Sequence, residues 1–330
     1  MKFSVLIPAY KEKFLDECIS SCISQTYDDY EIIIIDDQSP YNLASIVDKF
    51  KDSHIHFYRN ERGYGAEHIV DNWNHCLKFA TGEYVMCIGD DDKLKPNCLQ
   101  NYISLISKYP NLDVYHCRME IIDEQSMVTT IQEDRPETET AFSMIWHFWH
   151  GRRQVLGDWL FRTTSLKEKG GFFFLPYGWS SDNITAFELA AEKGVANTKE
   201  VGFQYRESSL AITSNNTTEA TLYKIDAWKK ARIWYSDFLL KNEPHDEIDK
   251  IYKSDIEKLF QRYFDRKIIG ELTLGIKKSP LSLFKWLRLS NKICVSKKQR
   301  LANKESYIVS KIYHINTNDM WRKEALTKMV

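Results

Sequence analysis

The chain has 330 residues, 43% of them hydrophobic, seven cysteines and a net charge of −1. That is enough for one large domain, or a domain with a substantial appendage, around a proper core. No apolar stretch approaches the roughly 18 to 20 residues of a bilayer crossing, and no nucleic-acid recognition motif accompanies the basic residues, so a membrane-spanning protein and a nucleic-acid binder are both set aside. The start, MKFSVLIPAYKEK, is too short and too soon polar for a signal peptide, so the chain is expected to begin at Met1 and stay in the cytoplasm. The cysteines are scattered without a CxxC pair and read as buried, reduced thiols.

In chain order, FSVLIPAY reads as a short strand broken by Pro8, followed by an amphipathic helix from Phe14 to Tyr27. YEIIIIDDQS is a second strand, whose four consecutive isoleucines suit a position covered on both faces. A helix from about Leu43 to Phe50, a strand IHFYRN, a helix from about Ala66 to Ala80 and a strand at Tyr84–Ile88 complete a βαβαβαβ pattern. An open α/β sheet with right-handed crossovers is the economical reading. Ligands of such sheets bind beyond the carboxyl ends of the strands. Pro8-Ala9-Tyr10, Asp36-Asp37 and Asp90-Asp91-Asp92 follow three of those ends and are expected to share a crevice.

Farther along, EDRPETETAF reads as a charged loop, MIWHFWHGRRQVLGDWLFR is rich in tryptophan, and a Gly-rich turn leads to a helix opening near Asp182. From Glu219 onward the composition is helical. Residues 221–330 hold 24 Lys and Arg against 13 Asp and Glu, whereas the first 220 hold 21 against 33. The expected organisation is therefore residues 1–218 as one domain, with halves at 1–100 and 101–218, and 219–330 as a helical basic region.

Three adjacent aspartates at a strand end need a cation. Oxygen-only ligands favour Mg2+ or Mn2+, and Mg2+ takes one or two carboxylates and completes its shell with phosphate and water. The alternative is that one aspartate caps the turn at KLKPN and the others are solvated. Asp36 and Asp37 read either as strand-ending and capping residues or as acceptors for a base or ribose. There is no GxxxxGK[ST] or GxGxxG, so a diphosphate would rely on the metal.

FSVLIPAYKEKFLDECISSCISQTYDDYEIIIIDDQS resembles the opening of family-two inverting glycosyltransferases of the GT-A fold, bacterial polysaccharide type, and NWNHCLKFATGEYVMCIGDDDKLKPN resembles their second block. The resemblance runs over residues 3 to 100 and more loosely to about 210. It implies that Pro8, Ala9, Tyr10 and Glu12 line the nucleotide pocket, that Asp37 accepts from the base, that Asp90 faces ribose or donor sugar, and that Asp91, with Asp92 beside it, binds the metal. Gly89 stands where the family motif usually begins with Asp. Asp182 has the spacing after GGF of the family's catalytic aspartate, and an N-cap of the following helix is its structural alternative. With the ordinary carboxylate pKa of about 3.9 it would be ionised at neutral pH. One base and no nucleophile imply inversion; retention would need a second carboxylate such as Asp158 or Glu188. LFR at Leu160 to Arg162 resembles the segment beside the acceptor, and Arg206 in YRES resembles a loop residue over the diphosphate.

The implied activity is transfer of a sugar from a nucleotide-diphosphate donor to a hydroxyl of a glycan or lipid-linked glycan. Trp146, Trp149, Trp159, Trp179 and Phe172 to Phe174 read as core or as sugar-stacking rings. Lys285, Arg288 and Lys292 lie at helical spacing beside Leu281, Phe284 and Trp286, a basic amphipathic helix that either packs on its own domain or rests on the inner membrane face. The competing readings are a nucleotidyltransferase, which lacks its Gly-rich loop here, and a non-catalytic glycan- or partner-binding protein on a degenerate fold.

Overall fold

A computed structural model describes residues 1–212 and 215–278. Its strands are β1 (Phe3–Ala9), β2 (Tyr30–Asp36), β3 (Ile55–Arg59), β4 (Tyr84–Cys87), β5 (Lys93–Leu94), β6 (Val114–Ile122), β7 (Val128–Ile131), β8 (Thr138–Glu139), β9 (Trp159–Arg162) and β10 (Val195–Arg206). One sheet runs in the order β3-β2-β1-β4-β9-β6-β10-β5, with β7 on β6 and β8 on β10. β1 to β4 are parallel to one another, β9 inserts antiparallel between β4 and β6, and β10 runs parallel to β6. The sheet is thus mixed and mostly parallel, as its sequence pattern predicts.

The isoleucine run of β2 explains the layering. Ile33 and Ile35 join the core on one face, and Ile32 and Ile34 join the core on the other, because successive side chains of a strand point to opposite sides. One face is covered by α1 (Leu15–Ile23), α2 (Leu43–Val47) and α4 (Cys98–Lys108), through Cys18, Leu43 and Leu99 among others. The other is covered by α3 (Ile69–Phe79), α5 (Ala141–Trp149), α6 (Thr163–Glu168) and α7 (Ser181–Ala190). The long helices α8 (Thr218–Lys241) and α9 (Glu247–Lys278) place Trp228, Tyr235, Phe264 and Leu272 in that same second core. α1 and α2 stop earlier than their apolar spacing suggests, at Ile23 and Val47. The basic stretch around Lys285, Arg288 and Lys292 lies outside the described residues. The six cysteines among the described residues are free and buried, and none of those residues forms a helix long and apolar enough to cross a membrane.

The ends of β1, β2 and β4 remote from the presumed crevice are joined by one carboxylate. Glu31 Oε1 accepts from Ser4 Oγ at 2.6 Å and Thr81 N at 2.7 Å, and Oε2 accepts from Lys2 Nζ at 2.6 Å and Thr81 Oγ1 at 2.8 Å. Burial alone would raise its pKa, but these donors outweigh burial and hold it down at about 2. A depressed acid stabilises the fold above its unfolded pKa and loses that contribution as pH falls towards the folded value. Glu31→Gln is therefore expected to lose on the order of 3 kcal/mol at neutral pH and to flatten the stability curve between about pH 4.5 and 2. Urea unfolding across that range checks it; parallel pH curves for the two proteins would refute the assignment.

Candidate active site

The acidic lip follows β4, and its three carboxylates have three different environments. Asp90 Oδ2 accepts backbone N–H groups of Tyr10 and Lys11, both at 2.7 Å, and its Oδ1 lies 3.0 Å from Lys11 Nζ. Asp91 Oδ2 is 2.6 Å from the same ammonium and 3.4 Å from Ser208 Oγ. Asp92 turns the other way: Oδ1 accepts from Arg206 N at 2.9 Å and Oδ2 from Gly89 N at 3.1 Å. Lys11 is the positive charge that the sequence pattern demanded, and it was overlooked between Tyr10 and Glu12. Its burial works against the charged form, but Asp90 and Asp91 outweigh this and hold the ammonium above the ordinary lysine range. Burial and the repulsion of Asp91 push Asp90 up, against the pull of Lys11 and the two amides. A Cβ at Gly89 would lie 2.9 Å from Asp92 Oδ2 and 3.0 Å from Asp91 Oδ1, so a side chain there would need those carboxylates to give way.

The ends of β1 and β2 carry the residues expected to meet a nucleotide. Pro8 and Ala9 close β1, Tyr10 stands 49% exposed at the crevice edge, and Glu12 is exposed beyond it. Asp36 is buried, accepting from Ser39 N at 2.7 Å and pairing with Arg59. Asp37 accepts from Asn60 Nδ2 at 2.8 Å, Tyr64 N at 2.9 Å and Gly65 N at 3.1 Å, so it folds the loop after β3 over the end of β2.

Arg206 departs from the phosphate-facing position expected of it. Its guanidinium is 1% exposed and committed to protein: Nε donates to Asp91 O at 2.7 Å, one terminal nitrogen to Asp123 O and Ser126 Oγ at 3.0 Å each, and the other to Glu17 Oε2 at 2.8 Å. It also lies over the Phe14 ring at 4.2 Å. Arg206 is a brace that fixes the lip from behind. Arg162 also departs: it pairs with Tyr84 in register and with Asp113 at 3.3 Å, at the end of β9 away from the lip.

A 3-10 turn, Leu156–Asp158, leads into β9, and α7 begins with Ser181 and Asp182. Ser180, at φ 74°, is the N-cap position, so Asp182 lies in the first helical turn and is not the cap. Tyr177 at φ 61°, Gly178 at φ 61° and Ser180 put three left-handed residues immediately before it, a strained approach of the sort that persists where surroundings over-determine it. A side chain at 178 would meet Trp73 at 2.8 Å, which gives that glycine a second reason. Asp182 Oδ1 accepts from Asn183 N and Nδ2, both at 2.8 Å. Asn183 Oδ1 in turn accepts from Gln154 Nε2 at 2.6 Å, and Gln154 Oε1 accepts from buried Arg135 at 3.4 Å. The donors of this chain all point towards Asp182 and fix its Oδ1. Burial raises its pKa to about 7, against the lowering effect of Asn183. The expectation of a fully ionised aspartate is thereby corrected: the carboxyl titrates near neutrality.

Asp158 and Glu188 do not supply a second crevice carboxylate. Asp158 is fully buried, held by Gln132 Nε2 at 3.2 Å and Val155 N at 3.3 Å. Glu188 lines a separate cavity of about 620 Å3 with Asp113, Trp234 and Asp237. Of the aromatic residues singled out in the sequence, Trp159 is core, Trp146 Nε1 donates to Asp255 at 2.7 Å, Trp149 stacks on Tyr263 at 4.0 Å, and Trp179 Nε1 donates to Glu271 at 3.1 Å.

A divalent cation of the kind the resemblance implies finds one suitable ligand. Among the described residues no three His, Cys, Asp or Glu side chains are grouped to cage an ion. Asp91 alone of the lip keeps an oxygen, Oδ1, with no donor among the described residues, whereas Asp90 Oδ1 faces Lys11; this suits an ion held by one carboxylate together with phosphate and water. Asp92 does not fit the ligand role given to it, because each of its oxygens already accepts a backbone N–H.

The chain matches the model of Glycosyl transferase family 2 over residues 4–168, half of its length. It belongs to glycosyl transferase family 2. An uncharacterized glycosyltransferase of Rickettsia typhi is 32% identical over 125 residues, 37% of this family-2 chain and 38% of the relative. The UDP-Glc:alpha-D-GlcNAc-diphosphoundecaprenol beta-1,3-glucosyltransferase WfgD of Escherichia coli is 33% identical over 126 residues, 38% of this chain and 48% of the relative. The alignments thus span less than half the length of both relatives. S. aureus TarS, solved in complex with UDP-GlcNAc, has a TM-score of 0.64 at 17% identity, covering 93% of this chain and 89% of that one. The mannosyltransferase PcManGT from Pyrobaculum calidifontis, in complex with GDP-Man and Mn2+, has a TM-score of 0.53 at 14% identity, covering 95% and 88%. The family-2 chain has the GT-A fold of these structures, with helices following its sheet.

Removing the guanidinium of Arg206 would take a donor from the buried Asp91 carbonyl and from the half-buried Asp123 carbonyl and Ser126 Oγ, while Glu17 would keep Lys93 and Ser126. Arg206→Met is expected to lower stability by about 1–3 kcal/mol, read as the denaturant midpoint. A midpoint unchanged from wild type would remove Arg206 from its bracing role.

Proposed function

We propose that this family-2 protein transfers a sugar from a nucleotide-diphosphate donor to a hydroxyl of a glycan or lipid-linked glycan, inverting the anomeric carbon. The observation that carries the reading is Asp182: one carboxyl with Oδ1 anchored by Asn183 and a pKa raised by burial to about 7, where a general base works best. In this reading it faces a lip whose Asp91 pairs with Lys11 through Oδ2 and keeps Oδ1 without a donor among the described residues. The relatives' names supply the donor class: UDP-Glc for WfgD, UDP-GlcNAc for the TarS complex and GDP-Man for PcManGT.

In this reading Pro8, Ala9, Tyr10 and Glu12 line the nucleotide pocket, and the loop held by Asp37 closes it on the base side. Asp90 orders the turn at Tyr10 and Lys11 against the ribose or donor sugar. Mg2+ or Mn2+, held by Asp91, would act when bound as a Lewis acid on the diphosphate. Lys11 is the neighbouring side chain that can balance leaving-group charge. Asp182 Oδ2 takes the acceptor hydroxyl proton as the acceptor oxygen bonds to the anomeric carbon and the carbon–diphosphate bond breaks. The absence of a second crevice carboxylate among the described residues supports single displacement. Residues 1–100 would then bind the donor and 101–218 the acceptor, with the later helices walling the acceptor side.

A screen of nucleotide-sugars for thermal stabilisation with and without Mn2+ identifies the donor. Asp91→Ala is expected to lose the metal-dependent shift, and Asp182→Asn to keep it while transfer falls about 10²- to 10⁴-fold. If no nucleotide-sugar shifts the wild-type protein, the reading fails. Because the base must be deprotonated, turnover should rise with pH through about 7 and level off above it. A profile flat across that point would dismiss Asp182 as the base.

A further inference from the structure

Arg135, in the connection between β7 and β8, is only 5% exposed, yet among the described residues its guanidinium makes a single hydrogen bond, Nη2 to Gln154 Oε1 at 3.4 Å. Nε and Nη1 find no hydrogen-bond partner there. The guanidinium lies 5.6 Å from the Trp159 ring; Asp158, Glu139 and Glu133 support its charge and Arg152 opposes it. Burial outweighs the carboxylates and lowers its pKa to about 10, which leaves it charged at neutral pH. A buried cation so thinly bonded costs stability. Its role is therefore to be sought in the one bond it makes.

An arginine side chain has donors only, so it must face the oxygen end of the Gln154 amide. That turns Gln154 Nε2 the other way, to Asn183 Oδ1 at 2.6 Å. Asn183 in turn presents Nδ2 to Asp182, and this nitrogen and the backbone N–H of the same residue both reach Asp182 Oδ1 at 2.8 Å. One donor-only group at the far end thus dictates which end of each amide faces the next. An Asn183 free to turn could also offer Oδ1 to Asp182, and only a protonated carboxyl has a hydrogen to give it. Fixing the chain in one direction therefore withholds a partner from the protonated form and supplies one to the ionised form. The other titratable groups facing Asp182 are Asp158, ahead of β9, and Tyr235 on α8, while Asn183 is the chief group that opposes burial there.

We propose that Arg135 is a positioning residue for the base: through Gln154 it keeps Asn183 turned as a donor, so that Asp182 is held ready to accept a proton. Its part in catalysis rests on the glycosyl-transfer reading. The acidity it controls belongs to the protein alone and is measured without substrate.

Carboxyl-carbon NMR of aspartate-labelled protein reads the titration, with Asp182→Asn to identify the resonance. Wild type is expected to titrate near pH 7, and the Asn183 Nδ2 protons should shift with the same midpoint because they lie on that carboxyl. Arg135→Gln frees both amides to turn and should raise the midpoint by roughly 0.5 to 1 pH unit, the worth of one hydrogen bond gained by the protonated form. Arg135→Lys, also donor-only, should keep the wild-type midpoint. Gln154→Met breaks the chain with the Arg135 charge in place and should raise the midpoint as Arg135→Gln does. It and the wild-type Asn183 protons decide the matter if Arg135→Gln fails to fold. A midpoint unmoved in Arg135→Gln or Gln154→Met, one as high in Arg135→Lys as in Arg135→Gln, or Asn183 protons blind to the titration overturns the assignment. Failure of every nucleotide-sugar to stabilise wild-type protein strikes the transfer reading alone.

Discussion

Three carboxylates at the end of one strand repel one another, and the manner in which that repulsion is relieved organises the crevice. Backbone N–H groups take up Asp90 and Asp92, and these groups come from the ends of β1 and β10, so charge neutralisation and strand placement are one event. Lys11 then bridges Asp90 and Asp91. Arg206 completes the arrangement from the interior, donating its backbone amide to Asp92 and its side chain to the Asp91 carbonyl. What emerges is a rigid acidic turn with a single carboxylate oxygen left over.

The two sides of the crevice use burial in opposite ways. At the lip, low solvation is countered by a dense set of donors and one ammonium. Around Asp182 the donors are few and neutral, so desolvation wins and the carboxyl becomes a moderate base. The directional chain from Arg135 through Gln154 and Asn183 sets its orientation. One fold thereby holds an anionic turn beside a carboxyl that exchanges its proton near neutrality.

Much of this was legible in the sequence because parallel sheets write themselves plainly. The isoleucine run announced a strand buried on both faces, and the acidic and Pro-x-Tyr strand ends announced a crevice. What escaped was contact between remote segments. Lys11 carried no motif of its own, and its meaning depends on β4 lying beside β1. Arg206 read as a loop residue over the diphosphate because nothing local reveals that Glu17, Asp123 and Ser126 surround it. Asp182 stood out by its spacing, but its altered acidity arises from burial that only the folded chain creates. Antiparallel β9, only four residues long, left no periodic signal at all.

The shared core of α8 and α9 with α7 bears on how the protein could change over evolutionary time. Tyr235 and Glu271, which touch the residues leading into Asp182, are carried on those two helices. Altering either helix would therefore also move the loop that positions Asp182. Under the glycosyl-transfer reading, selectivity and chemical competence would be mechanically tied, and new specificities would arise by paired substitutions across α8, α9 and the 177–180 loop rather than by single replacements.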